Sequence, residues 1–349
     1  MHEAATLTSR QATRHGSILT LAALALLLML MVIAISVGRF AISPGELITV
    51  LWAKLTGSPH ALPAAYDAVI FQIRAPRTMA AALIGAALAA AGAVYQNLFR
   101  NPLVSPDILG VSSGAAFGAV VAIFLALPVV ALQGFAFAGG LAAVALVVLI
   151  GNAVRGHDPI LALILTGVVV GTLLGAGIAI IKYLADPYNQ LPAITFWLLG
   201  SLTSISPSDL GIAAPLVLIG LIPIYLLRWR MNVLSLSDEE ANALGVNVTQ
   251  LRMILITCAT LITAAAVAIS GIIGWIGLLI PHAARLLVGP EFARMLPLSM
   301  LFGACFLLAV DTIARVAASV EIPPGVLTAL IGAPLFLWLL VVSHSRSRQ

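Results

Sequence analysis

Ile18-Leu-Thr-Leu-Ala-Ala-Leu-Ala-Leu-Leu-Leu-Met-Leu-Met-Val-Ile-Ala-Ile-Ser-Val37 runs without a single charged residue. The hydrocarbon core of a bilayer is ~30 Å thick and a helix rises ~1.5 Å per residue, so this run is long enough for one crossing. Arg10, Arg14 and His15 precede it, as basic residues precede the apolar part of a secretory signal. It exceeds the ~7–15 apolar residues of such a signal and is not followed by a small-residue cleavage site, so it reads as a retained helix.

Working outward from residue 38, nine more apolar runs follow, at roughly 76–98, 107–127, 129–151, 159–183, 209–227, 250–270, 273–288, 294–318 and 325–342. They are continuous and rich in Ala, Leu and Gly, whereas a membrane barrel alternates over ~10-residue segments. The expected fold is therefore all-α with ten crossings. Composition agrees: hydrophobic types make up 61% of the 349 residues and charged types 9%, against about 25% charged in an average soluble domain. A soluble enzyme, a nucleic-acid-binding domain and a disordered chain each need a polar exterior that this chain lacks. The 17 Lys+Arg against 13 Asp+Glu report loop orientation, with no nucleic-acid partner implied. Cys258 and Cys305 lie inside apolar runs and read as small core residues.

With ten crossings, Arg10, Arg14, Arg100, Arg155, Arg228, Arg230, Arg252, Arg285, Arg294, Arg346 and Arg348 fall on one side. Arg39, Lys54, Arg74, Arg77, Lys182 and Arg315 fall on the other. Basic loops stay cytoplasmic, so both termini are expected inside. Gly110, Gly114 and Gly118 on the third run, and Gly167, Gly171 and Gly175 on the fifth, repeat every four residues. This is the spacing that lets helix backbones approach closely in lipid, or slide past one another.

The chain has no Gly-x4-Gly-Lys-Ser/Thr phosphate loop, no Cys/His metal spacing and no paired catalytic groups at one membrane depth, so no catalytic residue, metal site or cofactor is assigned. The inside loop Leu234-Ser-Leu-Ser-Asp-Glu-Glu-Ala-Asn-Ala-Leu-Gly-Val246 reads as a short surface helix. Ser237 or Asp238 caps it, Glu239 and Glu240 suit its first turn, and Gly245 ends it. Ala241 and Leu244, three apart, are expected to share one outward face. It is either a structural linker or a docking knob for an ATPase. Asn101-Pro102-Leu103 reads as a proline-terminated helix end. Arg74 and Arg77 flank Pro76 at the outer mouth of the second run, and Arg315 follows Asp311 by one turn on the ninth. Interface snorkelling and an i,i+4 pair explain these arginines without any partner.

Several segments together resemble permeases of the iron-siderophore, haem and vitamin B12 class of ABC importers, the FecCD type. They are Ile73-Arg-Ala-Pro-Arg-Thr78, Ala91 to Leu103, Pro106 to Ala115, the Asp-Glu-Glu-Ala loop, Gly274-Trp-Ile-Gly-Leu-Leu-Ile-Pro-His282, Asp311 to Arg315, and Pro324 to Phe336. The match runs in order from about residue 20 to the last residues.

The resemblance implies a type II ABC importer permease: one polytopic transmembrane domain over 1–349, with a cytoplasmic N-terminal segment 1–17 and a cytoplasmic coupling loop 228–249. It implies a homodimer in the inner membrane, two ATP-binding cassette subunits carrying ATP and Mg, and a soluble or lipid-anchored substrate-binding protein. By the same resemblance, Asp238, Glu239, Glu240, Ala241, Leu244 and Gly245 form the ATPase-coupling segment. Asn101 and Leu103 match an inner gate, and Arg74, Arg77 and Arg315 match arginines that receive glutamates of the binding protein. A polar pair of the family's second inner constriction is replaced here by Ile160 and Leu161. The expected cargo is a siderophore-type iron chelate; haem, cobalamin and molybdate or tungstate are the alternatives. An ion-coupled secondary transporter would place carboxylates near helix midpoints, whereas the charges here gather at helix ends.

Overall fold

The computed structural model describes residues 2–38, 40–153 and 159–346, with side chains over 16–38, 40–153, 160–234 and 236–342. Arg39, Arg155 and Arg348 lie outside the described residues, as do the side chains of Arg10, Arg14 and Arg346.

In chain order the helices are α1 (His2–Ser36), α2 (Pro44–Thr56), α3 (Ala65–Asp67), α4 (Ala75–Leu98), α5 (Val111–Phe124), α6 (Val129–Ala153) and α7 (Pro159–Leu184). They continue as α8 (Gln190–Leu198), α9 (Pro207–Leu227), α10 (Asp238–Ala243), α11 (Val248–Ser270), α12 (Ile276–Val288), α13 (Phe292–Val316) and α14 (Pro324–Arg346). Every apolar run holds a helix. Eight described helices are long and apolar enough to cross a membrane, and α5 and α12 are shorter apolar ones. There is no strand among the described residues.

The second membrane helix starts earlier than expected. Ala65–Asp67 leads into a π-helical stretch, Ala68–Arg74, and directly on into α4. Pro76 has no N–H to donate and its ring crowds the carbonyl four residues back, so the turn before it widens, and the Ala75 N–H reaches Ile70 O instead. The polar stretch between the first two apolar runs therefore holds α2 and a helical lead-in. Ser43 and Glu46 cap α2 reciprocally. Likewise α8 occupies the stretch 184–208. Both are too short to register as crossings.

α4 is the centre of the fold. It is buried almost throughout, Ala80 to Leu98, against α13, α11, α12 and α9. A Cβ on Gly85 would lie 2.2 Å from Gly303 O of α13, and one on Gly92 would lie 1.9 Å from Gly277 O of α12. These helices touch backbone to backbone. Two of the third-run glycines do the same against α6: a Cβ on Gly114 would meet Gly139 O at 2.3 Å and one on Gly118 would meet Phe135 O at 2.0 Å, whereas Gly110, at φ +77°, faces α7 at ordinary contact distance. On α7 only Gly167 is used this way, 2.1 Å from Ile108 O, while Gly175 has nothing within 4 Å. Polar groups inside α4 are satisfied by its neighbours: Tyr95 Oη pairs with Thr260 Oγ1 at 3.0 Å, and Gln96 donates to Leu278 O at 2.9 Å.

Candidate functional site

Alternating helix directions give the bundle two faces. One carries the turn after α4, the segment 228–249 and the α12–α13 junction; the other carries 37–74, 184–206 and 317–323.

On the first face, Ser237 is the cap of α10, which decides between the two sequence candidates. Its Oγ accepts Glu240 N at 3.2 Å, and Glu240 Oε2 accepts Ser237 N at 3.0 Å. The bond from Ser237 N, and then one that the Ser237 hydroxyl donates to Oε2 at 2.9 Å, hold the Glu240 carboxyl below its ordinary pKa. Glu239 stands exposed beside it. Gly245 closes the helix at φ +79°, as its position suggested. Leu244 is 65% exposed, but Ala241 is 1% exposed. The two do not share an outward face, because Leu244 already sits at the cap with bridging dihedrals and has turned away from the helical register. Ala241 anchors α10 to the core beneath it. Asp238, the first helical residue, lies between two guanidinium groups, Arg100 at 3.3 Å and Arg252 at 3.3 Å.

The turn after α4 is built by its own side chain: Asn101 Oδ1 accepts Leu103 N at 2.9 Å. Leu103 is 53% exposed, an apolar tip with no cover in its own chain. Ile160 is half-buried and Leu161 is exposed at the start of α7. A recess of about 440 Å³ opens beside the turn, bordered by Gln96, Asn97, Arg100, Asn232, Arg285 and Glu291.

On the opposite face the three rim arginines are buried, at 5% for Arg74, 6% for Arg77 and 8% for Arg315. None presents a free guanidinium to the surface. Arg74 donates to Ile35 O at 2.6 Å, Ser36 O at 3.0 Å and Phe40 O at 2.5 Å, closing the end of α1. Arg315 donates to Ala34 O at 2.9 Å and lies 3.4 Å from Asp311 Oδ2, the i,i+4 pair legible in the sequence. The tighter partner of Asp311 is Arg77, at 2.9 Å.

Arg77 also holds Glu321 at 3.0 Å, and Glu321 accepts from the Thr203 hydroxyl at 2.8 Å. Sequence reasoning missed Glu321. Its only signal was position, an isolated carboxylate in the short link between α13 and α14. Burial works to raise its pKa, but the bonds from Arg77 and Thr203 and the nearby guanidinium charges prevail and hold it below the ordinary value. Glu321 borders a cavity of about 550 Å³ on this face, together with Phe196, Gly200, Ser201, Thr203 and Pro324. No group of three or more His, Cys, Asp or Glu suited to a metal occurs among the described residues.

Charged side chains gather at the two faces, and the helices between them are mainly apolar. Comparison with known proteins places the chain in a family. The model of the FecCD transport family matches residues 26–342. The chain is 42% identical over 312 residues to the molybdate import system permease protein MolB of Haemophilus influenzae, covering 89% of this chain and 91% of that one. It is 45% identical over 272 residues to a Helicobacter pylori protein described as an iron chelatin transport system permease, covering 78% and 82%. A solved structure described as an inward-facing conformation of a metal-chelate type ABC transporter superposes with a TM-score of 0.84 at 39% identity, covering 92% of this chain and 98% of that one.

Proposed function

Since this chain belongs to the FecCD transport family of ABC transporter permeases, we propose that it is the membrane-spanning subunit of an importer of a siderophore-type iron chelate. Two copies line a pathway on their common axis, and two separate ATPase subunits bring ATP and Mg. A soluble or lipid-anchored binding protein delivers the cargo. The α10 face is cytoplasmic, with both termini, in the inner membrane. The basic residues on that side support this orientation.

One observation carries the reading: a six-residue helix with a complete capping box, anchored by Ala241 and holding Leu244 out as an uncovered apolar tip. A linker does not require an exposed leucine at its end. A cleft on an ATPase does, and Asp238 to Gly245 is then the coupling segment. Asn101 and Leu103 form the inner gate, with Leu103 meeting its counterpart across the axis. At the outer rim Arg77 receives a binding-protein carboxylate in exchange for Glu321, while Arg74 and Arg315 hold the rim in shape and supply positive potential. Such pairing sets register and capture rate more than raw affinity.

Molybdate is the second reading, favoured by the name and near-complete overlap of the Haemophilus influenzae relative. Reconstitution with the ATPase and binding protein decides between them. ATP-dependent uptake of a radiolabelled ferric siderophore is expected; uptake of molybdate with none of the ferric chelate overturns the cargo assignment.

A further inference from the structure

Arg100 stands between the two parts of the inner face that the proposed function uses. Its backbone is the first residue past the α4 cap, with φ +49°, one of three described non-glycine residues at positive φ. That left-handed step breaks the helix and starts the Asn101–Leu103 turn. Its side chain goes the other way. Nε donates to Leu234 O at 2.9 Å, and Nη2 donates to Leu236 O and to Asp238 Oδ1, the latter at 3.3 Å. Arg252 of α11 holds the same Asp238 carboxylate at 3.3 Å. One side chain therefore grips two carbonyls of the segment leading into α10 and the first residue of α10 itself. Its own Cα lies three residues from Leu103.

We propose that Arg100 is the positioning residue that ties α10 to the gate turn, so that a displacement of α10 is delivered to Leu103. This rests on the reading of α10 as the ATPase seat and of Leu103 as gate. The chemistry favours a link over a loose surface pair. A planar guanidinium has several fixed donors, so it spans Leu234 O, Leu236 O and Asp238 together; an ammonium is a point charge on a flexible stem and cannot hold that fork. An ion pair to Asp238 alone, half-exposed as it is, would be weak. The two carbonyl bonds give the contact its direction. The step onward to Leu103 is short and braced: Asn101, the next residue after Arg100, accepts Leu103 N on its own Oδ1 at 2.9 Å, so the backbone that leaves Arg100 is tied to Leu103 by a side chain as well as by the chain itself.

The test needs no cargo. In the full complex with its ATPase subunits, with Cys258→Ala and Cys305→Ala in place, Leu103→Cys is labelled with a maleimide without nucleotide and with ATP plus vanadate. The parent's labelling rate should change on trapping. In Arg100→Ala the ATPase should stay bound and hydrolyse ATP, while the nucleotide-dependent change in labelling falls about tenfold, equivalent to ~1.4 kcal/mol of lost coupling. Arg100→Lys should fall between. Arg294→Ala, which removes another cation of the same face, one paired with Glu291 at 2.8 Å three residues away, should behave as the parent. A full nucleotide response in Arg100→Ala overturns the link and leaves Arg100 a loop staple. If Arg100→Ala does not assemble, a full response in Arg100→Lys overturns it instead. A parent with bound, active ATPase but no response at Leu103→Cys overturns the gate reading itself, a different result from either.

Discussion

Arg77 of α4 and Asp311 of α13 lie 234 positions apart and form a forked ion pair inside the bundle, with Nε 3.0 and 3.1 Å from the two carboxylate oxygens and Nη2 2.9 Å from Oδ1. Asp311 is 1% exposed. The pair joins the two helices that already touch through Gly85 and Gly303, so the outer half of the bundle is closed at two heights.

Removing one member should therefore hurt the fold. Breaking a buried pair costs up to about 3–5 kcal/mol where the remaining charge is left without a partner; here Arg77 would keep only the more exposed Glu321, and Arg315 would lose its carboxylate neighbour at 3.4 Å. Asp311→Ala should lower the midpoint of thermal unfolding in detergent well below that of Glu321→Gln, whose partner keeps Asp311. Equal midpoints would mean that the Arg77–Asp311 pair adds nothing beyond its desolvation cost. The same geometry makes Arg77→Glu a poor probe of docking, since it sets a second carboxylate against Asp311.

Glu321 is the better probe. Its carboxyl is held below the ordinary carboxylate value, so its contribution is present above the unfolded pKa of ~4.3 and is lost as pH falls through the lower folded value. Glu321→Gln should weaken stability near neutral pH and flatten the decline on acidification below about pH 5. It should also speed capture of the binding protein, because Arg77 no longer has to exchange a partner. Unchanged capture at all ionic strengths would show that Arg77 never leaves its own chain.

Gly85→Ala and Gly175→Ala form a matched pair. The first puts a Cβ 2.2 Å from a backbone oxygen, and the second meets nothing within 4 Å. Overpacking of this kind costs about 1–3 kcal/mol, so the first should lower the unfolding midpoint and the second should leave it in place or raise it. Equal loss in both would indicate that the α4–α13 contact is looser than described.

Leu244→Arg should release the ATPase subunits while leaving the permease folded, because it replaces an exposed apolar tip with a charge facing an apolar cleft. Ser237→Ala removes the cap and should cost about 1 kcal/mol of local helix stability, weakening coupling without abolishing assembly. Normal co-purification of the ATPase with Leu244→Arg would make α10 a linker.

The membrane helices were legible in the sequence because hydrocarbon thickness imposes length: eight described helices meet it, and α5 and α12 are shorter apolar ones. Their ends were less so. The second apolar run begins at residue 76, whereas the helix begins at Ala65 and passes Pro76 through a π turn. α2 and α8 escaped because elements of 13 and 9 residues resemble polar loops when length is the criterion. The capping of α10 was readable from local sequence, since Ser237 and Glu240 are three apart. The burial of Ala241 was not, because it depends on what packs beneath. The pairing at the rim illustrates the same limit. Asp311 with Arg315 follows from helical spacing, but the shorter contact to Arg77 and the role of Glu321 arise from chain segments that no periodicity connects.

Side-chain layers absorb small displacements by changing rotamer, but where Gly92 rests on Gly277 and Gly85 on Gly303 there is no such layer. Peptide groups in contact cannot give without the helices parting. α4, α12 and α13 therefore behave as one welded column running the depth of the membrane. Any flexing of the bundle should fall on elements outside that column, such as the stretch of α7 around Gly175, where a Cβ would meet nothing within 4 Å.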